Sequence, residues 1–173
     1  RYNGVFQWSY QWDSTLPNYE KILRIGLRGI IKEAEEKLKE IDAAPDINAK
    51  EYVEQKRFLQ AVIISLEAAI RFARRYAELA REKAKAESDI KRKRQLEEIA
   101  EICDWVPENP ARTLHEALQC FFFIHMITNF IEIPVVGSGV RLDQIMYPFY
   151  KKDIEKKRLT RDDALKLVEF LWI

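Results

Sequence analysis

Residues 58–80 have the sequence FLQAVIISLEAAIRFARRYAELA, and this stretch decides the fold class. Apolar residues return every three or four positions, which places them on one face of an α-helix. These residues are Phe58, Val62, Leu66, Ile70, Ala73, Ala77 and Ala80. Four arginines between positions 71 and 81 lie among glutamates at helical spacing. This predicts a solvated face rather than a phosphate site. We predict one helix from about Asn48 to Ser88, far longer than the usual three turns.

Further helices are predicted on both sides of this long one. Asn18 caps a helix that contains Gly26 and Gly29. Each internal glycine costs about 1 kcal/mol relative to alanine, so we expect close backbone packing there. The later helices are predicted to begin at Ile90, Ala111, Asp143 and Thr160. The one that begins near Ala111 is apolar almost all round and should be buried on several sides.

Two short stretches have β character. In residues 6–12 aromatic and polar side chains alternate, which predicts a half-buried strand, or alternatively the aromatic wall of a ligand site. Residues 131–136, IEIPVV, form a short apolar run before a Gly-Ser-Gly turn. We therefore predict a mostly α segment with short strands. Its parts are an extended strand over 1–17, helices over 18–130, a strand and pocket turn over 131–142, and helices over 143–173.

Composition excludes several classes of protein. The chain has 173 residues with 29 basic and 28 acidic side chains, so its charge favours neither nucleic acid nor a membrane surface. Two cysteines form neither a disulfide framework nor a zinc set, and they suit a reducing compartment. His115 and His125 are ten positions apart, too far for a helical metal pair, so we predict no metal site.

The chain starts at Arg1 rather than methionine and stops at Ile173 inside an apolar run. We therefore expect an internal piece of a longer protein.

Candidate site residues follow the Gly-Ser-Gly turn. Arg141 and Asp143 stand between an apolar run and a helix, where side chains can face a cavity. The alternative is that Asp143 caps the helix and Arg141 pairs with it. Acidic neighbours should raise the thiol pKa of Cys103, and Cys120 should be a buried small hydrophobe, so neither is predicted to be a nucleophile. His125 is predicted to be a hydrogen-bonded core histidine.

Several stretches resemble the glycyl radical enzymes. Residues 17–31, PNYEKILRIGLRGII, resemble the family's start of a helix, and 105–119, WVPENPARTLHEALQ, is the most specific match. RLDQ at 141–144 and YPFY at 147–150 are similar to the family's G-R-F/L-D-Q-x-x-Y-P-Y/F-Y motif. The chain is identified as a segment from the pyruvate formate-lyase-like branch. That branch includes glycerol and choline lyases, arylacetate decarboxylases, and alkyl- and benzylsuccinate synthases.

The resemblance implies a cytoplasmic, oxygen-sensitive enzyme with a ten-stranded α/β barrel, acting on a small molecule and expected to be a homodimer. A partner activase with S-adenosylmethionine and a 4Fe–4S cluster would install a glycyl radical, which passes to a cysteine in the barrel. Neither cysteine matches the family's cysteine motif, and Gly139 does not match its glycine motif. We therefore expect no catalytic residue and no bound cofactor in this segment, which should be inactive without the rest of the parent chain.

Departures from the polyol-lyase motifs bear on substrate. Ser14 stands where those members have histidine, and Val135-Val136 replaces a His-Ser pair. Since lost hydrogen-bonding groups would leave substrate hydroxyls unpaired, we predict a less polar substrate, as in hydrocarbon addition to fumarate. The predicted pocket residues are Trp12, Ser14, Val135, Val136, Arg141 and Asp143. Alternatives are an arylacetate decarboxylase, an atypical dehydratase, a formate acetyltransferase-like enzyme, or a non-catalytic helical scaffold or interaction module.

Overall fold

The computed structural model describes residues 17–43, 48–128 and 140–171, and the regular secondary structure there is helical. The strands predicted over 6–12 and 131–136 lie outside the described residues and stay predictions. The helices are α1 (Tyr19–Asp42), α2 (Ala49–Ala86), α3 (Ile90–Trp105), α4 (Leu114–Met126), α5 (Leu142–Glu155) and α6 (Arg161–Leu171). None of the helices in these residues is long and apolar enough to cross a membrane.

Helix α1 begins at its predicted cap and is broken in the middle. The Asn18 side chain accepts a hydrogen bond from the Lys21 N–H at 3.0 Å. At Gly26 the backbone leaves the helical region, with φ +69° and ψ 169°. A side chain there would lie 2.7 Å from the backbone of Asn109 and against the carbonyl of Glu108. The predicted close packing at Gly26 is confirmed, and only glycine fits this conformation and this space.

The break lets another segment bond to the α1 backbone. Residues 106–112, which we name the connector, join α3 to α4. The N–H groups of Leu27 and Arg28 donate to the Pro107 and Glu108 carbonyls, each at 2.9 Å, and the Ala111 N–H donates to the Leu23 carbonyl at 3.0 Å. Backbone groups freed at the break are therefore satisfied by the connector instead of by the helix.

A carboxylate reinforces this junction. Glu108 accepts from Arg28 of α1 at 2.8 Å and from Arg74 of α2 at 2.5 Å. Burial acts to raise the pKa of Glu108, but the two guanidinium groups outweigh it and hold that pKa below its usual value. One side chain thus ties the connector to both long helices.

Replacing Glu108 with glutamine should destabilise the protein by about 1–2 kcal/mol at neutral pH, because two charge-assisted bonds are weakened. Since the folded-state pKa lies below the ordinary 4.5, this contribution is complete above that pH. It disappears as pH falls through the folded value. Apparent melting temperatures between pH 3 and 7 should show a wild-type advantage that shrinks in acid. Glu40→Gln, at an exposed pair with Lys37, is the control and should show no such difference.

Helices α2 and α3 form an antiparallel hairpin packed through small side chains. Ile70, Ala73, Ala77 and Ala80 of the predicted stripe are buried. Phe58 was also predicted on the buried face, but it is 68% exposed. The correction has a simple cause: α3 begins at Ile90 and runs only 16 residues, so it covers the second half of the 38-residue α2 and not the first.

Helix α4 lies at the centre and contacts each of the other five helices. Its Phe123 side chain packs with Ala73 and Ala77 of α2 and with Cys103 of α3. The helix begins at Leu114 rather than near Ala111, because the backbone of Thr113 is extended and this residue is the helix cap. Thr113 caps the helix by accepting from the Glu116 N–H at 3.2 Å. The predicted burial on several sides is confirmed for Leu114, Glu116, Ala117, Leu118, Cys120, Phe121, Phe123 and Ile124.

Helices α5 and α6 pack on the N-terminal half of α4. Asp153 of α5 is 1% exposed, and its carboxylate accepts from the Leu114 N–H at 2.7 Å and from Arg158 at 3.1 Å. The predicted helix start at Thr160 is confirmed and forms a capping box, since Thr160 and Asp163 each accept the other's backbone N–H. The Asp153 contact fixes where α4 starts relative to α5.

Candidate functional site

Arg141 and Asp143 lie at the start of α5 and bind each other. The guanidinium donates to both carboxylate oxygens, at 3.1 and 3.0 Å. The hydrogen bond from Arg141 lowers the pKa of Asp143, and the same bond raises that of Arg141. Asp143 is not the helix cap, as one prediction had it: Arg141 occupies the cap position and the carboxylate lies in the first turn. The predicted Arg–Asp pair is confirmed, and both side chains are about two-thirds exposed.

A groove of about 350 Å³ runs between α5 and α6 beside this pair. Its walls are mainly apolar, and Asp143 and Arg161 supply its charged groups. The lining residues are Leu114, Asp143, Met146, Tyr147, Tyr150, Arg161, Ala164, Leu165 and Val168. Asp143 is therefore the one predicted pocket residue that lines this groove, among the residues that the structure describes.

A second polar cluster joins the start of α1 to the end of α4. Tyr19 is buried at 2% exposure, and its hydroxyl lies 3.5 Å from Nδ1 of His125. The Phe121 ring packs against both of their rings: its centroid lies 4.6 Å from that of Tyr19 and 5.5 Å from that of His125. This agrees with the prediction of a hydrogen-bonded histidine, although His125 is half-buried rather than fully enclosed.

Thr128 belongs to the same cluster. Its hydroxyl donates to the Ile124 carbonyl at 2.9 Å. Burial raises the pKa of Tyr19, and the bond to Thr128 offsets part of that rise. Residues 127–128 continue α4 as a π-type turn, a rare geometry that is frequent at functional sites.

The two cysteines are core residues, as predicted. Cys103 lies in α3 and Cys120 in α4, and both are buried. Burial raises the thiol pKa of Cys103 to about 11 and that of Cys120 to about 12. The predicted direction for Cys103 is confirmed, but desolvation causes it rather than the acidic neighbours: Asp104 pairs with Arg81. Thiols in this state are poor nucleophiles at neutral pH.

The remaining predicted pocket residues lie outside the described part of the chain: Trp12, Ser14, Val135 and Val136. Within that part, no group of three or more His, Cys, Asp or Glu side chains could hold a metal ion. The structure therefore brings together Arg141 and Asp143 and leaves the other four as predictions.

Three carboxylates were missed by sequence reasoning. Glu116 had a local signal, because Thr113-Leu-His-Glu116 matches the capping-box pattern, and its carboxylate accepts from the Arg112 N–H at 2.6 Å. Glu108 had none, since its partners Arg28 and Arg74 lie 80 and 34 positions away. Asp153 has one partner nearby, Arg158, but the Leu114 N–H that it accepts from lies 39 positions away. All three serve to fix helices and none lies in the groove.

A family model described as "Pyruvate formate lyase-like" matches residues 4–173. The isethionate sulfite-lyase of Oleidesulfovibrio alaskensis is 42% identical over 169 residues, which cover 97% of this chain and 20% of that protein. The chain thus spans about a fifth of the length of the curated relatives it matches.

Solved structures give the same picture. The glycerol-bound B12-independent glycerol dehydratase from Clostridium butyricum superposes with a TM-score of 0.81 at 42% identity, over 90% of this chain and 19% of that one. A glycyl radical enzyme from Archaeoglobus fulgidus superposes with a TM-score of 0.76 at 32% identity, over 87% of this chain and 19% of that one.

Proposed function

Because the chain belongs to the pyruvate formate lyase-like family, we propose that it is one segment of a glycyl radical enzyme that eliminates a leaving group from a small substrate. The observation that carries this is the superposition on the glycerol dehydratase over 90% of the chain, at 42% identity. The isethionate sulfite-lyase, at the same identity, is also named for an elimination.

The described residues act as a scaffold in this proposal. Cys103 and Cys120 are buried side chains of the helices α3 and α4, and we propose neither as the radical-carrying cysteine. Gly26 is packed against the connector and Gly29 against Ile25. The glycine and cysteine that carry the radical would belong to the part of the relatives' length that this chain does not span. The activase and a second subunit would bind that parent protein in the cytoplasm.

The substrate is proposed from the pocket motifs. Val135-Val136 in place of His-Ser, and Ser14 in place of histidine, favour a substrate with fewer hydroxyls than glycerol. Arg141, Asp143 and Trp12 would complete the pocket. The relatives reported above are named as a lyase and a dehydratase, which gives hydrocarbon addition to fumarate no support beyond those motifs. Hydrocarbon addition to fumarate is the second candidate, because the two valines and the aromatic residues of 6–12 would favour an apolar substrate.

The test uses the complete protein encoded by the gene, purified without oxygen and incubated with its activase, S-adenosylmethionine and a reductant. We expect the electron paramagnetic resonance doublet of a glycyl radical. The activated enzyme is then offered isethionate, glycerol, 4-hydroxyphenylacetate, and toluene with fumarate. We expect turnover of an elimination substrate other than glycerol.

Each other result has a definite meaning. Efficient glycerol turnover would contradict the proposed pocket, and toluene addition would favour the second candidate. The double variant Val135→His, Val136→Ser should raise glycerol turnover if these residues line the pocket. A complete protein that never forms the radical would support the scaffold or interaction-module alternative.

A further inference from the structure

We propose that the outer face of α3 is a contact surface for a second copy of this chain, whose own α3 lies antiparallel to the first. The outer face is defined by side chains that are all exposed: Ile90, Lys91, Arg94, Glu97, Glu98 and Glu101. The second subunit is part of the proposed function, so the inference rests on it to that extent. The choice of surface rests on the described residues.

The first step is the order of charge along α3. Residues 91–94, KRKR, place four cations at its start, and acidic side chains follow from Glu97 to Asp104. Within the helix, no acidic side chain lies in the first turn and no basic one in the last turn. This order opposes the helix dipole, which favours anions at the N-terminus and cations at the C-terminus. A partner with the opposite order of charge would compensate for it.

The second step is that the charges of the outer face are available. Among the residues that the structure describes, Lys91, Arg94 and Glu101 take part in no ion pair. Arg94 precedes Glu98 by four positions, but that carboxylate lies 3.3 Å from Nδ1 of His115 instead. Lys91 and Glu101 are about 15 Å apart along the helix axis, so they cannot pair within one helix. These exposed charges are therefore free to contact another molecule.

The third step is that an antiparallel copy of α3 supplies the missing partners. A two-fold axis level with Leu96 would place Lys91 opposite Glu101 of the partner subunit, and Arg94 opposite Glu98 of the partner subunit. The symmetry makes each contact twice, because the same surface is used on both copies. A self-complementary order of charge favours a second copy over an unrelated acidic protein, which would need only the basic end of α3.

Ile90 adds an apolar side chain to this surface. It is 70% exposed and lies four positions before Arg94, on the same face of the helix. A second copy would cover Ile90 on both subunits. The charges would then fix the antiparallel orientation, while the buried apolar area adds affinity.

The test measures the dissociation constant of the dimer formed by the complete protein, by analytical ultracentrifugation. Lys91→Glu and Glu101→Lys each create two contacts between like charges, so each should raise the dissociation constant about tenfold. Neither should reduce the helical content measured by circular dichroism, because each places the charge that the helix dipole favours at that end of α3. The dissociation constant of the wild type should rise with added salt.

Mixing the two single variants distinguishes the antiparallel contact from any other. A Lys91→Glu subunit and a Glu101→Lys subunit repel their own copies but carry opposite charges at both contacts with each other. The mixed dimer should therefore form within about threefold of the wild-type dissociation constant, and so should the dimer of the double variant. Lys32→Glu is the matched control, since it makes the same change of charge at an exposed position of α1. It should leave the dissociation constant unchanged.

A complete protein that stays monomeric at every concentration would overturn the proposal. So would a dimer that both single variants leave intact, or one that neither mixing nor the double variant restores. The glycyl radical signal is recorded on the same samples. Its absence would contradict the proposed function, while the dissociation constants would still decide whether α3 contacts a second copy.

Discussion

Replacing Gly26 with alanine should destabilise the protein by about 3–5 kcal/mol, the sum of a strained positive φ and a backbone clash. The added carbon would lie 2.7 Å from the Asn109 backbone, and φ there is +69°. Neither helix nor connector can move away without losing the bonds from Leu27 and Arg28. The complete protein carrying Gly26→Ala should be largely insoluble, or melt well below the wild type.

Gly29→Ala provides the comparison. Gly29 has an ordinary helical backbone, and an added carbon there would press on the Ile25 side chain at 2.8 Å. Because only a side chain must shift and alanine favours the helix, the cost should be smaller by at least about 2 kcal/mol. Equal apparent melting temperatures for the two variants would contradict the argument from backbone conformation.

Replacing Asp153 with alanine should cost about 2–4 kcal/mol, because the buried Leu114 N–H loses its acceptor and Arg158 its partner. Both Asp153 and Leu114 are 1% exposed, so water cannot take over the lost bond. Exchange of α4 amides in the complete protein should become roughly a hundredfold faster.

Asp153→Asn separates the two losses. Its amide oxygen can still accept from Leu114 while the charge facing Arg158 is gone, so about half the effect should remain. Asp162→Ala, at an exposed first-turn position of α6, should leave α4 exchange unchanged. Unchanged exchange in Asp153→Ala would show that the start of α4 is held by something other than this carboxylate.

Local sequence predicted the helices well where their ends depend on nearby residues. Asn18, Asp89 and Thr160 cap α1, α3 and α6 as their positions indicate, because a capping side chain reaches only two or three residues along the chain. The predicted start of α4 was a few residues too early: Thr113 is the cap, and the Leu114 N–H bonds Asp153, 39 positions away. The exposure of Phe58 depends on the length of a partner helix, which the periodicity of α2 cannot report.

The candidate site was predictable only in part, for the same reason. The Arg141–Asp143 pair is separated by two positions and was among the alternatives. The junction of Tyr19 with His125 spans 106 positions, and no local pattern indicates that these residues meet. The α5–α6 groove likewise depends on how two amphipathic helices pack on Leu114.

The junction of α1 with the connector also sets an order of events during synthesis. Arg28 and Glu108 are 80 positions apart, and a chain made from its N-terminus releases the first long before the second. Until the connector emerges, the N–H groups of Leu27 and Arg28 lack the acceptors that they have in the finished structure. The α2–α3 hairpin, whose contacts are closer in sequence, can close first, which shortens the loop that must then be closed. Helix α1 is thus made before α2 and α3, and it is completed only after α3.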